Sequence, residues 1–559
     1  MRFSNKLLVA AAVVAMPAPA NAGFFKLSDE EKASQALFVK CDGYSMPDRK
    51  SDGLTSTSWM FGLASVAADQ RRLKTAFGAD GVAGCDSALV NPRLQPQFVM
   101  RRANLLQAKA IHQIAAGRFE DALQTLAQSD ATGASEPLFQ ESLGQGNRAL
   151  RALADHGLGR KAEAEAALVD LERRRPYATS QQQLALRVRM QFEDERGPQI
   201  TLLKRLASTF TPARKQLFWL SMLYRDFSGA LSYAPGISFD DPRGHGGWQI
   251  EGGEYEKYKD VIARVEFAGA VAYAEFATGN KAVAAKTITT QRSDLEKYMQ
   301  PPPDPGPDGQ WSKQQRSDYE FRKIAGGKGL ELLKDWEANI ALRDKASATN
   351  INELPGVIKA SGAKPFVPGD LIAVARTPEP KDSALQRELL ADIDRSLDKE
   401  RLKGMRTDFD DLVAMLPRPE TLANRPRWEG EGDGFLRNNA NGYAVQPNLT
   451  AGSFTVRFGT ATGSLAMADE GAMLAAAYHA RKQGRDAYVV DVRESMQRTI
   501  HTVSAYGRQT IAETPSGYEV RLIIRPISTA SASSDDREHA IGADAVIAAL
   551  APKFTVATQ

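Results

Sequence analysis

Recognisable catalytic motifs are missing from this sequence. Its 559 residues contain no HExxH, GxSxG or CxxC pattern, and histidine occurs only 6 times. Such patterns identify metalloproteases, serine hydrolases and dithiol oxidoreductases because each holds the reacting groups at a fixed spacing. The sequence therefore predicts no catalytic residue, no cofactor and no metal site, and it favours a binding protein over an enzyme.

An excess of charge of one sign is also lacking. Lysine and arginine number 71 against 68 acidic residues, for a net charge of +3. This balance gives no overall attraction to polyanions, so we expect no nucleic-acid partner. Hydrophobic residues make up 43% and charged residues 25%. That composition excludes a disordered or fibrous chain, and the length suits two to four globular domains.

The only short apolar run of note at the N-terminus is LLVAAAVVAM, from Leu7 to Met16, after the basic residues Arg2 and Lys6. It is too short to span about 30 Å of hydrocarbon. Small residues at Ala20-Asn21-Ala22 fit a cleavage site, so we expect a signal peptide over 1–22 and a periplasmic or secreted protein. No cysteine follows that site, so we expect neither a transmembrane anchor nor a lipid anchor.

Cysteine occurs twice, as Cys41 and Cys85. An exported protein meets oxidising conditions, which favour a disulfide between them. Two reduced thiols buried in helices, or metal ligation, are the alternatives. Two isolated cysteines without a nearby histidine make a poor metal site.

Helical hydrophobic spacing interrupted by glycine recurs along the first half of the chain. It is clearest from Arg102 to Asp130 and returns from Arg148 to Pro176 and from Phe267 to Lys286. Each unit is predicted to be an antiparallel helix pair with a glycine turn. The residues that define turns and helix crossings are Gly117, Phe119, Ala122, Gly159, Ala164, Gly279 and Ala284.

These residues resemble the tetratricopeptide repeat family, which places a glycine at the turn and a small alanine where helices cross. The resemblance implies an α-solenoid whose concave surface holds a peptide or protein partner. The chain departs from the family at Lys109, Ala110 and Gln113, where large residues and a glycine are typical, and the intervals between turns are unequal.

The hydrophobic period changes from helical to alternating near residue 441. Strands are predicted at Phe454–Phe458, at 487–492, at 499–503 and at 518–527, with a helix over 470–483. The stretches SFTVRFGT and AYVVDVRES resemble a small α/β domain of uncharacterised bacterial envelope lipoproteins. That resemblance brings no catalytic residues, and this chain lacks the lipid-bearing cysteine.

The predicted fold class is therefore α+β and multidomain, with a mostly helical solenoid before a small two-layer α/β sandwich. The expected divisions after the signal peptide are an N-terminal helical segment, helical repeats, a proline-rich hinge with helices and a linker, the α/β domain and a low-complexity tail. Their bounds are 23–100, 101–298, 299–440, 441–528 and 529–559.

One loop carries residues that could act in catalysis. Asp240, Asp241 and His245 lie in a Gly- and Pro-rich stretch and could bind a metal or serve as acid and base. A solvated insertion loop explains the same residues, since a single histidine supplies no second ligand.

Three functions follow in order of expectation. The first is an exported scaffold protein of the bacterial envelope that binds a peptide or protein in a helical-repeat groove. The second is an envelope hydrolase with its site at the Asp240–His245 loop. The third is a structural component of an envelope complex that docks through the C-terminal domain. A fold alone does not choose among them.

Overall fold

A computed structural model describes residues 28–49, 51–54, 57–59, 64–66, 77–191, 196–235, 237, 254–302, 311–405, 407–420, 428, 430, 442–448, 452–460, 463–503 and 510–554. The predicted signal peptide and the Asp240–His245 loop lie outside these ranges. The helices are α1 (Asp29–Asp42), α2 (Ala79–Leu89), α3 (Val99–Ala115), α4 (Phe119–Gly133), α5 (Leu143–Gly157), α6 (Lys161–Arg174), α7 (Thr179–Arg189), α8 (Arg196–Ala207), α9 (Thr211–Leu223), α10 (Phe227–Tyr233), α11 (Glu254–Ala277), α12 (Lys281–Tyr298), α13 (Lys313–Ala348), α14 (Leu354–Ser361), α15 (Asp370–Val374), α16 (Pro380–Met405), α17 (Phe409–Ala414), α18 (Leu465–Lys482), α19 (Ser534–Glu538) and α20 (Ala543–Phe554).

The strands are β1 (Thr57–Trp59), β2 (Ala64–Val66), β3 (Gly442–Pro447), β4 (Phe454–Thr460), β5 (Ala487–Val503), β6 (Thr510–Ile527) and β7 (Ile541–Gly542). A mostly helical chain thus precedes a five-stranded antiparallel sheet. The predicted α+β multidomain class is confirmed.

Helix pairs stack through the first half of the chain. Consecutive helices α3 and α4, α5 and α6, and α11 and α12 pack against each other, as do α8 and α9. Helix α3 also packs on α5, and α5 packs on α7. We call α3, α5 and α7 the inner row, because 32 of the 43 residues in these three helices are buried.

The N-terminal unit packs on the first helix of this row. Helices α1 and α2 both contact α3, and the disulfide between Cys41 and Cys85 joins them. Phe38 and Leu105 complete a small apolar core around the bond. The predicted disulfide is confirmed, and in the chain-entropy model closing a loop of this length stabilises the fold by roughly 4 kcal/mol.

The N-terminal segment was expected to be helical, but it also contains two short strands. Residues 57–59 and 64–66 pair as a short antiparallel ribbon, β1 with β2. Thr57, Trp59 and Val66 are β-branched or aromatic, and such residues favour extended backbone over helix.

The C-terminal sheet has the strand order β3-β4-β6-β5-β7. Val456 and Phe458 on β4, with Leu522 and Ile524 on β6, face the helix α18 and are buried. Because side chains alternate across a strand, one face forms the core and the other is left to solvent. Strand β5 runs unbroken through 487–503, where the sequence suggests two strands.

The expected tail over 529–559 is wrong for residues 534–554, which form α19, β7 and α20. Val546, Leu550 and Phe554 recur every fourth residue on α20 and are buried in the core of the sheet domain. A serine-rich stretch precedes this apolar stripe, so the sequence suggested a low-complexity tail and not a helix. Helix α20 packs on α18, so it belongs to the domain.

Candidate functional site: the inner row and the segment that covers it

The three glycine turns named from the sequence share one geometry. Gly117, Gly159 and Gly279 have φ of +72°, +75° and +92°. In each turn the glycine N–H donates to the carbonyl three residues back, and the next N–H donates to the carbonyl five back. This is the helix-ending motif that requires a left-handed residue. A Cβ added at any of the three would meet no other atom, so backbone conformation alone selects glycine there.

The residues after each turn hold the pairs together. Ala122, Ala164 and Ala284 are buried, with exposed fractions of 0%, 1% and 2%. The ring of Phe119 lies against Gly157 of the next pair, where an added Cβ would come within 2.6 Å of it. Small residues at these positions therefore set how closely neighbouring helices approach.

A further turn of the same kind has no glycine and was not predicted from the sequence. Arg225 has φ of +64° and is the only non-glycine residue with positive φ in the described chain. Its N–H and that of Asp226 make the same pair of backbone hydrogen bonds. Phe227 and the buried Ala230 follow it as Phe119 and Ala122 follow Gly117. The signal was the Phe-x-x-Ala spacing rather than the turn residue.

The inner row is covered on its free side, although the sequence predicts an open groove. Polar side chains on these helices are buried, among them Asn104 and Gln107 on α3, Asn147 on α5 and Gln182 on α7. Gln107 donates to the Asn147 side chain over 2.9 Å, which links the first two helices of the row. Two of these side chains bond to neighbouring parts of the helix pairs: Asn147 donates to Ser129 and Asp130 of α4, and Gln182 donates to the Glu172 and Arg175 carbonyls.

One covering segment is residues 407–420, which we call the strap. It contains α17, and its Phe409, Leu412, Val413 and Leu416 stand at positions i, i+3, i+4 and i+7, the spacing of one helix face. Leu412, Val413 and Leu416 are at most 5% exposed. The charged residues Asp410 and Asp411 on the opposite side face solvent.

The strap packs against the inner row itself. Helix α17 contacts α7, and Val413 lines a cavity together with Asn104 and Ile111 of α3. At one end, the ring of Phe409 meets that of Phe77 edge-on, with centroids 5.8 Å apart. The apolar face of a short helix thus lies against α7 and beside α3.

A cavity of about 30 Å³ remains beside the strap. Val413 lines it together with Asn104, Gln107, Ile111 and His112. This volume is enough for about two water molecules. Burial lowers the pKa of His112 below its ordinary 6.5, more than its bond to the Cys41 carbonyl and the charge of Asp42 raise it. The neutral form of the His112 imidazole is therefore favoured at this cavity.

The far end of the strap reaches a buried ionic cluster around Arg175. The Arg175 guanidinium donates to both oxygens of Glu470 on α18, over 3.0 and 2.7 Å, and to the Glu141 carbonyl over 2.8 Å. Glu420 of the strap lies 3.7 Å from the same guanidinium. Lys553 of α20 lies 3.1 Å from Glu470. The strap, the sheet domain and the connection between α6 and α7 meet at this one arginine.

Among the described residues of this cluster, the acids outnumber the bases. Three carboxylates, Glu141, Glu420 and Glu470, pair with two cations, Arg175 and Lys553. Burial raises the pKa of Glu470, but Arg175 and Lys553 outweigh it and hold that pKa below 4.5. For Glu420, burial raises the pKa more than Arg175 and the Ser464 hydroxyl lower it. Glu420 is thus the acid in excess of the two cations, and it interacts with Arg175 more weakly than Glu470 does.

Helix α18 covers the row at its third helix. The Asp469 carboxylate accepts hydrogen bonds from the Ser180 N–H and hydroxyl, both 2.9 Å, at the start of α7. Arg493 on β5 pairs with the same carboxylate. Anions are stabilised at helix N-termini, so this contact fixes the sheet domain on α7.

Other candidate sites receive no support from the described part of the chain. It contains no group of three or more His, Cys, Asp or Glu residues placed to hold a metal ion. Across the same residues, no helix combines the length and apolarity needed to cross a bilayer. Asp240, Asp241 and His245 lie outside it, so their role stays a prediction.

Comparison with protein-family models, with curated proteins and with solved structures gave no match.

Proposed function

We propose that this chain is an exported binding or scaffold protein of the bacterial envelope, which uses its helical repeats to hold a peptide or protein partner. The observation that carries the proposal is the packing of α17 against α7, with Val413 beside α3 of the inner row. A short amphipathic helix lying by its apolar face on a multi-helix surface is one of the recurring modes of peptide recognition. The inner row thus has the chemistry that such a ligand requires.

The compartment and the repeat family are part of this proposal. The N-terminal pattern of residues 1–22 and the Cys41–Cys85 disulfide both support export to the periplasm or beyond. The shared turn at Gly117, Gly159, Arg225 and Gly279 supports a tetratricopeptide-like solenoid. We propose neither a lipid anchor nor a nucleic-acid partner.

The structural-component alternative has one observation in its favour. Arg175 and Ser180 already bind α18, so the sheet domain uses this helix to dock on the chain's own solenoid. Docking to a larger complex would then use another surface of the sheet domain. No comparable observation favours the hydrolase.

In-cell crosslinking of the tagged mature protein, followed by mapping of the crosslinked residues, tests the proposal. We expect a stoichiometric protein partner attached within residues 100–290. A monomer without any crosslinked protein, or crosslinks confined to other parts of the chain, would contradict it. The triple variant Asp240→Ala, Asp241→Ala, His245→Ala is the matched control. This triple variant should keep the crosslinked partner and the wild-type phenotype of the cells. Loss of that phenotype while the crosslinks persist would favour the hydrolase.

A further inference from the structure

The surface proposed to bind a partner is already filled in the free chain. Leu412, Val413 and Leu416 of the strap occupy it as a short helix, and Glu420 follows at the Arg175 cluster. A helix of only 6 residues is unstable alone, because the first turn costs more conformational entropy than its hydrogen bonds return. The surface therefore holds α17 in its helical form.

We propose that the strap is an intramolecular stand-in for the partner. The partner is then a protein segment that forms an amphipathic helix with apolar side chains at i, i+3, i+4 and i+7 and a carboxylate four residues beyond the last. It binds by displacing residues 407–420 from the inner row. This inference rests on the proposed binding function and adds to it the class of ligand and an autoinhibited free state.

Two features of the strap make it a replaceable ligand. Glu420 approaches Arg175 only to 3.7 Å, while Glu470 accepts hydrogen bonds from Nε and Nη2 along one edge of that guanidinium. Beside Val413 lies a cavity of about 30 Å³. A ligand with a larger side chain at that position would enter the cavity and gain dispersion contacts with its walls. A segment with a larger side chain at the position of Val413 can therefore pack on this surface better than the strap does.

Tethering explains why such a weak fit still closes the surface. A segment joined to its own site by a short connection acts at an effective concentration of about millimolar. A free peptide of equal intrinsic affinity must compete with that concentration, so its apparent affinity falls by the fraction of chains whose site is open.

The test measures binding of a fluorescent synthetic peptide of residues 407–420 to full-length mature protein. The strap is weakened by the double substitution Leu412→Ala, Leu416→Ala. The matched control is Leu385→Ala, Leu389→Ala, which truncates two exposed leucines on α16. We expect the strap variant to bind the peptide at least about tenfold more tightly than wild type or control. A peptide with Val413→Leu should bind more tightly still, and one with Leu412→Asp should not bind.

Folding of each chain is checked by circular dichroism, and Val413→Ala replaces the double substitution if that chain fails to fold. No peptide binding to any folded strap variant, or equal binding to variant and control, would overturn the inference. Its failure is separable from that of the proposed function. Peptide binding without an in-cell partner would show that the strap is displaceable but would reject the binding function on which the inference rests. A partner crosslinked to residues 100–290 without peptide binding would support the binding function and overturn the inference.

Discussion

Single residues decide where the helix pairs turn. Glycine reaches positive φ without steric cost, which is why Gly117, Gly159 and Gly279 could be placed in turns from the sequence. Arg225 could not, since its conformation depends on distant residues. Its guanidinium donates to both oxygens of Asp394, over 2.7 and 2.8 Å, and to the Pro368 carbonyl over 3.2 Å. Contacts about 140 or more positions away in sequence hold a backbone conformation that arginine disfavours.

Two substitutions at Arg225 separate the backbone from the side chain. Both Arg225→Gly and Arg225→Ala remove the ion pair to Asp394, but only alanine keeps the steric cost of the left-handed conformation. We expect the alanine variant to be less stable than the glycine variant by about 1–2 kcal/mol. Urea unfolding of the two proteins measures this difference directly. Equal stabilities would show that the turn relaxes and that positive φ is not required there.

The disulfide could be predicted from the sequence, whereas the proposed loop site stays untested. Cys41 and Cys85 were predictable as a pair because the sequence offers no other cysteine. Asp240, Asp241 and His245 lie outside the described residues, so a role for them stays a prediction.

At the scale of elements, the contact between α18 and the connection from α6 to α7 rests on a buried ion pair. The side chains of Arg175 and Glu470 are 1% and 2% exposed. Removing one member leaves the other charge buried without its partner, whereas removing both replaces the pair with apolar contact. This asymmetry makes the junction sensitive to single substitutions.

We expect Arg175→Met to lower the free energy of unfolding by about 3–5 kcal/mol. The double variant Arg175→Met, Glu470→Leu should recover most of that loss. Arg160→Met is the control, because Arg160 and Glu120 form an ion pair between neighbouring helix pairs with side chains 41% and 56% exposed. It should cost no more than about 1 kcal/mol. Chemical denaturation of the three variants checks these values, and additive losses in the double variant would contradict the account.

Elements were predictable where their own hydrophobic period is long and uninterrupted. Helices α3 and α4 and strand β4 appear where the pattern places them. The strap was missed because α17 has only 6 residues, too few for a period to stand out, although its spacing of Phe409, Leu412, Val413 and Leu416 was legible. Helix α20 was missed because it follows a serine-rich stretch.

For the molecule as a whole, the arrangement of these parts could not be derived from the sequence. Helical repeats and a small α/β domain predict an open groove beside a separate domain. Instead, the strap and α18 both contact α7 of the inner row. The polar residues Asn104, Gln107 and Gln182 would suit either an exposed groove or a hydrogen-bonded interior, so composition does not distinguish the two.

The central claim is that the strap leaves the inner row while the rest of the fold stays intact. Native-state hydrogen exchange of the unmodified mature protein tests it most directly, since local openings require less free energy than global unfolding. We predict that the amides of residues 409–416 exchange through a local opening, well before those of α5 and α7. Exchange of the strap at the same slow rate as α5 would mean that it opens only with global unfolding, and would contradict the account.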